Sequence, residues 1–309
     1  MASIFGSRDP HGRQAGPSRL VQRLVVAALM AAIPLGALLM KGCQTGPFGR
    51  QQIVALNPQQ EEQLGLQAFE EVLAQERVVD RGPLVDVIKD IANRLTNAAR
   101  NEGFLQQTQM PEQPMEWAVR VVESDQQNAF CLPGGKIVVY TGILPIAETD
   151  TGLAVVMGHE IAHALAHHGA ERMAHSQMAN IGVMAAGGAL GDMDPAQRNQ
   201  ILQMINTGAK FTVMKYGREH ESEADRMGLL LMAAAGYDPE ESVHFWERMK
   251  QYTGGQSPPE FLSTHPSHET RVRDLQAWIP EAMPLYEASP QKQTAKRLPD
   301  AGFGARMLP

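Results

Sequence analysis

The chemistry of this chain starts at His159-Glu160-Ile161-Ala162-His163, two imidazoles four residues apart with a carboxylate beside the first. On a helix, residues four apart share one face, so both rings can converge on a single cation. Zinc accepts neutral His nitrogen at about 2.0–2.1 Å and, in a catalytic site, keeps one position open for water. Glu160 then stands beside that water as the general base. On a solvated helix face the same residues would do nothing. Their neighbours argue otherwise: Leu153, Val156, Met157, Ile161, Ala164 and Leu165 surround the run. The helix is therefore expected to be buried, and buried polar groups need partners, which a metal supplies.

A third ligand lies 58 residues beyond His163. Residues 216–236 read as a helix, with helix-forming composition, acidic residues early and a Gly236-Tyr237-Asp238-Pro239 stop. Glu221 and Asp225 are four apart and share a face. Glu221 would complete a His, His, Glu site, and Asp225 could accept the spare ring N–H of a metal-bound His. Alone, Glu219, Glu221, Glu223 and Asp225 read as a solvated acidic face; beside the histidine pair they read as ligands and supports.

The pair His159-Glu-x-x-His163 with Glu221-x-x-x-Asp225 resembles peptidase family M48, zinc metallopeptidases that include the CAAX prenyl proteases. Two further segments match. Asn128-Ala-Phe-Cys-Leu-Pro-Gly-Gly-Lys-Ile-Val-Val-Tyr-Thr-Gly142 is similar to the family's N-A-F-x-x-P-G-G strand signature, and Phe261-Leu-Ser-Thr-His-Pro-Ser-His-Glu-Thr-Arg271 to its T-H-P-x-x-x-x-R element. The resemblance covers about residues 55–280. It implies an α+β, mostly helical fold of the gluzincin type, with a small β-sheet beside the H-E-x-x-H helix. It also implies one zinc ion per chain on His159, His163 and Glu221, with Glu160 catalytic and Asp225 in support. For the oxyanion it offers Arg271, with Arg218, Tyr216 and His265 left open. His265 is either a switch that fills the metal's open position and holds the enzyme latent, or part of a capping Thr264-His265-Pro266 turn. In zinc peptidases of this kind the strand beside the site is an exposed edge on which an extended substrate can pair. Asn128, Phe130, Pro133, Gly134 and Gly135 are its candidate residues; the alternative is a purely structural hairpin.

The rest of the chain supplies an address and a scaffold. The formal net charge of −7 hides an asymmetry: residues 1–42 hold Arg8, Arg13, Arg19, Arg23 and Lys41 against Asp9, about +4, which leaves about −11 for the body. An acidic body with few aromatic residues argues against nucleic-acid binding. Arg19 and Arg23 precede seventeen uncharged residues, Leu24 to Met40, which fit a signal-peptide core or a short span. Basic residues upstream favour export of the remainder of the chain. Gly42-Cys43 then resembles a bacterial lipoprotein processing site, although Met40 and Lys41 depart from it, so an uncleaved anchor and an accidental Cys43 stay open. Residues 1–42 are thus read as signal peptide or membrane anchor, 43–56 as linker, 57–280 as the zinc metallopeptidase domain and 281–309 as a poorly ordered tail. All three readings of Cys43 place the body outside the cytoplasm in the cell envelope, attached through its N-terminus.

Two cysteines give no disulfide framework. Cys131 falls in the strand signature, where a small buried residue competes with a nucleophile. Helices are expected from Asn57-Pro58 to about Arg77 and from Leu84 to Ala99, and a polar loop over 106–115. Strands are expected at Trp117–Val122 and Lys136–Tyr140, with Pro133-Gly134-Gly135 as the turn between them. The Met- and Gly-rich stretch 170–215 is either core filler or an adaptable lid. The function these readings support is a zinc-dependent endopeptidase acting on misfolded or misassembled envelope proteins. The alternative is a latent zinc-containing chaperone or assembly factor of the envelope. Protein or peptide substrates and the membrane are the expected partners, with an envelope assembly machine as a further candidate. No G-x-S-x-G run supports a serine hydrolase.

Overall fold

The computed structural model describes residues 19–189, 217–252, 261, 265 and 270–299. In chain order the first half holds α1 (Arg19–Gly42), β1 (Cys43–Thr45), β2 (Gln51–Ile53), α2 (Pro58–Gln75), β3 (Val78–Val79), α3 (Pro83–Ala98) and α4 (Glu102–Thr108). Then come β4 (Ala118–Val122), β5 (Ala129–Leu132), β6 (Lys136–Tyr140), α5 (Leu144–Ala147), α6 (Asp150–Leu165) and α7 (His168–Ala189). The helix over residues 217–234 is α8; α9 (Glu241–Tyr252) and α10 (Arg271–Ala288) complete the set. The fold is mostly helical with small sheets, as expected.

Two compact units divide these residues. The first takes residues 19–44, 52–55 and 171–189; the second takes 45–51, 56–170, 217–252 and the described residues beyond. In the first unit, Val21–Met40 of α1 has a mean hydropathy of 2.1 and none of it is buried. About 20 apolar residues suffice to cross a bilayer, so α1 has the length and composition of a span. Met173 and Met184 on α7 are exposed, 44% and 77%, so these two are not core filler. Met193, Met204 and Met214 lie outside the described residues.

In the second unit, a four-stranded sheet has the order β3-β4-β6-β5. β4 runs parallel to β6 with Val121 opposite Val139, and β5 runs antiparallel to β6 with Cys131 opposite Ile137. The Pro133-Gly134-Gly135 turn therefore joins β5 to β6, not the two strands expected from the sequence. Parallel strands cannot be joined by a tight turn, so β5 had to be interposed. Gly134 and Gly135 take φ of 73° and 82°, which only glycine adopts freely. α2 lies over that turn, so closely that a Cβ on its Gly65 would collide with the Pro133 carbonyl oxygen.

Helix ends follow their caps. Asn57 forms a capping box with Gln60 at the start of α2, Asn101 caps α4, and Thr149 accepts from the Gly152 N–H at the start of α6. α4 occupies the first part of the expected 106–115 loop, and β1 and β2 pair with each other inside the expected linker. Part of the expected 281–309 tail is helical or hydrogen-bonded. α10 continues through Pro280 and Pro284 to Ala288 because buried Ala282 and Leu285 anchor its inner face. Beyond it, the Lys296 N–H donates to Asp150 Oδ1 and the Leu298 N–H to the Glu148 carbonyl.

The core centres on α6, in which every residue from Thr151 to Leu165 is buried. A helix apolar all round needs protein on every side, and α3, α5, α9 and β5 supply it.

Candidate active site

α6 brings His159, Glu160 and His163 into this core, at 2%, 2% and 6% exposure. Opposite them runs α8. The two helices meet at a pair of glycines: a Cβ on Gly228 would lie 2.9 Å from the His159 backbone nitrogen, and one on Gly158 3.2 Å from the Gly228 carbonyl oxygen. This backbone approach lets Glu221, two turns before Gly228, reach across to the histidines. Its Oε2 is 3.3 Å from His159 Nε2, and its Oε1 is 3.4 Å from His163 Nε2. His265 comes from a separate segment, with Nδ1 3.1 Å from Glu221 Oε1 and 3.3 Å from His159 Nε2.

One ligand atom each from His159, His163, Glu221 and His265 lies within 4.8 Å of the others, and all four residues are buried. The donor set fits a cation. His159 Nε2 and His163 Nε2 are 3.1 Å apart; two tetrahedral ligands of one zinc at the usual bond length stand about 3.3 Å apart. Two imidazole lone pairs and a carboxylate facing each other repel unless a positive charge lies between them.

The surroundings hold these groups in place. His159 Nδ1 lies 2.9 Å from Asp225 Oδ1, the partner expected for a ligand's spare N–H. Burial lowers the pKa of His159, but Asp225 and Glu221 outweigh it and raise it to about 10. Burial pushes His163 well below the ordinary histidine value despite Glu221. Burial opposes ionisation of Glu221, yet His159, His163 and His265 hold its carboxyl far below the usual range. Glu160 is raised by burial, partly offset by His265 and His159 and by a backbone hydrogen bond from Cys131 of β5. β5 is the last strand of the sheet, so the carboxylate and the edge strand are adjacent.

The other sequence-predicted residues are placed as follows. Arg271 is 1% exposed, and its Nη2 donates to Glu221 Oε2 at 2.9 Å and its Nε to Asp225 Oδ2 at 2.6 Å. Its guanidinium also stacks over Trp246 at 3.9 Å. Arg271 thus bridges Glu221 and Asp225, as buried ion pairs are held by their partners, while its Nη1 is buried with no hydrogen-bond partner among the described residues. Phe130 packs beside Tyr140, Phe69 and Val138 on the α2 side of the sheet. A Cβ on Gly134 would meet the Glu62 backbone of α2 at 2.9 Å, and one on Gly135 the Trp117 ring at 2.8 Å. Phe130, Pro133, Gly134 and Gly135 thus shape the hairpin, and Asn128 is buried at its base, where its carbonyl accepts from the Tyr140 N–H. The alternation of a strand sends Phe130 one way and Cys131 the other. Cys131 is half-buried, Arg218 and Cys43 are exposed, and Tyr216 lies outside the described residues.

Other residues of the site were not singled out from the sequence. Phe261 stacks on His265 at 4.7 Å, and Trp246 and Phe261 stand 6.2 Å and 6.1 Å from the His159 ring. The spacing Phe261-x-x-x-His265 is a signal that could have paired those two. Behind His163 lies a polar chain of His168, Glu223 and Arg50. Nothing in the local pattern marks Arg50, which is 173 residues from Glu223.

The model of "Peptidase family M48" matches residues 92–279. The chain is 38% identical over 176 residues to "Mitochondrial metalloendopeptidase OMA1" of Schizosaccharomyces pombe, covering 57% of this chain and 50% of that one. It is 34% identical over 222 residues to the protein of the same name from Saccharomyces cerevisiae, covering 70% of this chain and 61% of that one. It is 29% identical over 171 residues to "Beta-barrel assembly-enhancing protease" of Escherichia coli, covering 53% of this chain and 35% of that one. The chain therefore spans only half to three-fifths of the length of the two mitochondrial relatives. With its family match running through α6, α8 and the Arg271 element, this chain belongs to peptidase family M48.

Proposed function

We propose that this protein is a metal-dependent endopeptidase, with zinc held by His159, His163 and Glu221. The observation that carries the reading is the buried convergence of these ligand atoms, with Glu160 buried next to His159 on the same helix. A zinc ion bound there would supply Lewis acidity, acidifying a water and polarising a peptide carbonyl. Glu160 accepts the water proton and returns it to the leaving amine. Its burial, which raises its pKa, suits a carboxyl that must hold a proton between the two transfers. Asp225 and Arg271 keep His159 and Glu221 in place. Backbone groups of β5 pair with an extended stretch of substrate, with Cys131 beside the base.

Protein substrates at a membrane surface follow from α1, whose apolar length suits an anchor. The basic residues before it favour a catalytic unit on the far side, in the cell envelope, held either by uncleaved α1 or, after cleavage before Cys43, by a lipid on that cysteine. Misassembled envelope proteins are the substrate class, and the Escherichia coli relative's name supports this.

A second reading is favoured by His265, which stands among the ligands with Nε2 3.3 Å from Glu160 Oε1. As a fourth ligand it would close the coordination sphere and leave the peptidase latent. Digestion of casein by the full chain in detergent, with and without a chelator and with zinc added back, tests the main reading. Chelator-sensitive cleavage restored by zinc is expected; cleavage indifferent to chelation would sink it.

A further inference from the structure

A histidine that gives its Nε2 lone pair to a cation must carry its proton on Nδ1, and in a buried site that N–H needs an acceptor. The two α6 histidines meet this need differently. His159 Nδ1 faces the Asp225 carboxylate at 2.9 Å. His163 Nδ1 faces another imidazole, lying 2.8 Å from Nδ1 of His168, a residue 0% exposed. Two ring nitrogens at that distance bond only if one carries the proton and the other the lone pair.

The far side of His168 decides which. Its Nε2 lies 2.7 Å from Glu223 Oε2. An ionised carboxylate only accepts, so His168 carries its proton on Nε2 and presents its Nδ1 lone pair to His163. Arg50 grips Glu223 with two contacts of 2.9 Å, so the carboxylate's charge is matched without a cation on His168. The His220 ring stacks on His168 at 4.2 Å and 14°, which fixes the imidazole plane.

We propose that His168, held by Glu223 and Arg50, is a positioning residue that keeps the His163 proton on Nδ1 and aims its Nε2 lone pair at the metal position. The inference rests on the metallopeptidase reading above. It also has an electrostatic reason. Glu160, Glu221 and Asp225 already place three carboxylates at the site, and Arg271 grips two of them. A further carboxylate touching His163 would add unbalanced buried charge, whereas one imidazole farther out Glu223 is neutralised by Arg50.

Long-range proton–nitrogen NMR of the zinc-loaded full chain in detergent reads the tautomers directly. His168 is expected neutral with its proton on Nε2, and His163 with its proton on Nδ1. His168→Phe keeps a ring but removes the acceptor, and it should weaken zinc binding by about 10–100-fold in competition with a chromophoric chelator. It should also change the visible spectrum of the cobalt-loaded protein. His168→Asn returns an acceptor oxygen near the Nδ1 position and should recover most of the affinity. A doubly protonated His168, or a Phe variant with wild-type affinity, or an Asn variant no better than Phe, overturns the inference while leaving zinc uptake intact. If the Phe variant does not fold, the tautomers of the wild type and the Asn affinity decide. A wild-type chain that takes up no zinc removes the metallopeptidase reading and this inference with it.

Discussion

α1 and α6 are both long apolar helices, and their surroundings are opposite. From Thr151 to Leu165 every residue of α6 is buried, whereas none of the Val21–Met40 stretch of α1 is. Apolar sequence says that a helix avoids water; it does not say what replaces the water. For α6 the replacement is protein, and this has a chemical consequence. Side chains packed on every side can hold His159, Glu160 and His163 in a dry setting, where each polar atom must find a designated partner. α1 has no such packing within its unit and carries no comparable polar group between Leu24 and Met40. Its proposed solvent is lipid.

The largest test of this contrast strikes the polar cargo of α6. Glu160→Gln should leave zinc content unchanged and lower casein cleavage by at least about 10²–10⁴-fold, since the amide cannot take up the proton. His159→Ala, His163→Ala and Glu221→Ala should instead lower the metal content, measured by atomic emission on purified protein. A Glu221→Ala chain with full metal and normal turnover would remove that ligand assignment.

Next in size is a matched pair of truncations. Leu153→Ala in α6, at 0% exposure, should cost about 2–5 kcal/mol in chemical denaturation followed by tryptophan fluorescence. Leu29→Ala in α1, at 60% exposure, should change that transition by no more than about 0.5 kcal/mol. Equal effects would break the comparison. Leu29→Asp would sharpen it, because a carboxylate at the middle of a span costs about 2.5–3.5 kcal/mol and should shift the protein out of the membrane fraction without altering its denaturation.

A smaller effect is expected at the α6–α8 crossing. Gly228→Ala puts a Cβ 2.9 Å from the His159 backbone nitrogen and should destabilise by about 1–3 kcal/mol. Zinc affinity should fall with it, because Glu221 moves with α8. Retained affinity together with lost stability would show that the crossing supports the fold but not the ligand spacing.

His265→Ala separates latency from a structural role. Intact zinc and faster casein digestion are expected if His265 closes the site; unchanged or slower digestion by a folded variant removes the switch. The smallest effect on the folded units belongs to Cys43→Ala. It should leave denaturation unchanged and block fatty-acid labelling of the chain, and a wild-type chain that takes up no label favours an uncleaved anchor.

The convergence of His159 and His163 was legible because a helix converts a spacing of four into a shared face, and the buried character of α6 was legible from its apolar neighbours. Glu221 and Asp225 were legible for the same reason, once the histidines gave them something to face. The strand order was not. Ala129–Leu132 is short, and its role as β5 depends on β4 and β6 running parallel, which no local pattern records. Arg271 was singled out, but its contacts were not legible, since only the packed structure sets its guanidinium between two carboxylates and a tryptophan ring.

By itself the sequence determined a helix able to hold a metal, a second helix able to complete it, and an apolar N-terminal segment, because each is a periodicity or composition within one stretch of chain. Tertiary structure alone decided how closely the two helices approach, through Gly158 and Gly228, and which of the many acidic and basic residues stand behind the histidines. It joined Arg50 to Glu223 and His265 to Glu221 across 173 and 44 residues. Such pairings are fixed by which surfaces bury each other, and burial is a property of the assembled core rather than of any segment in it.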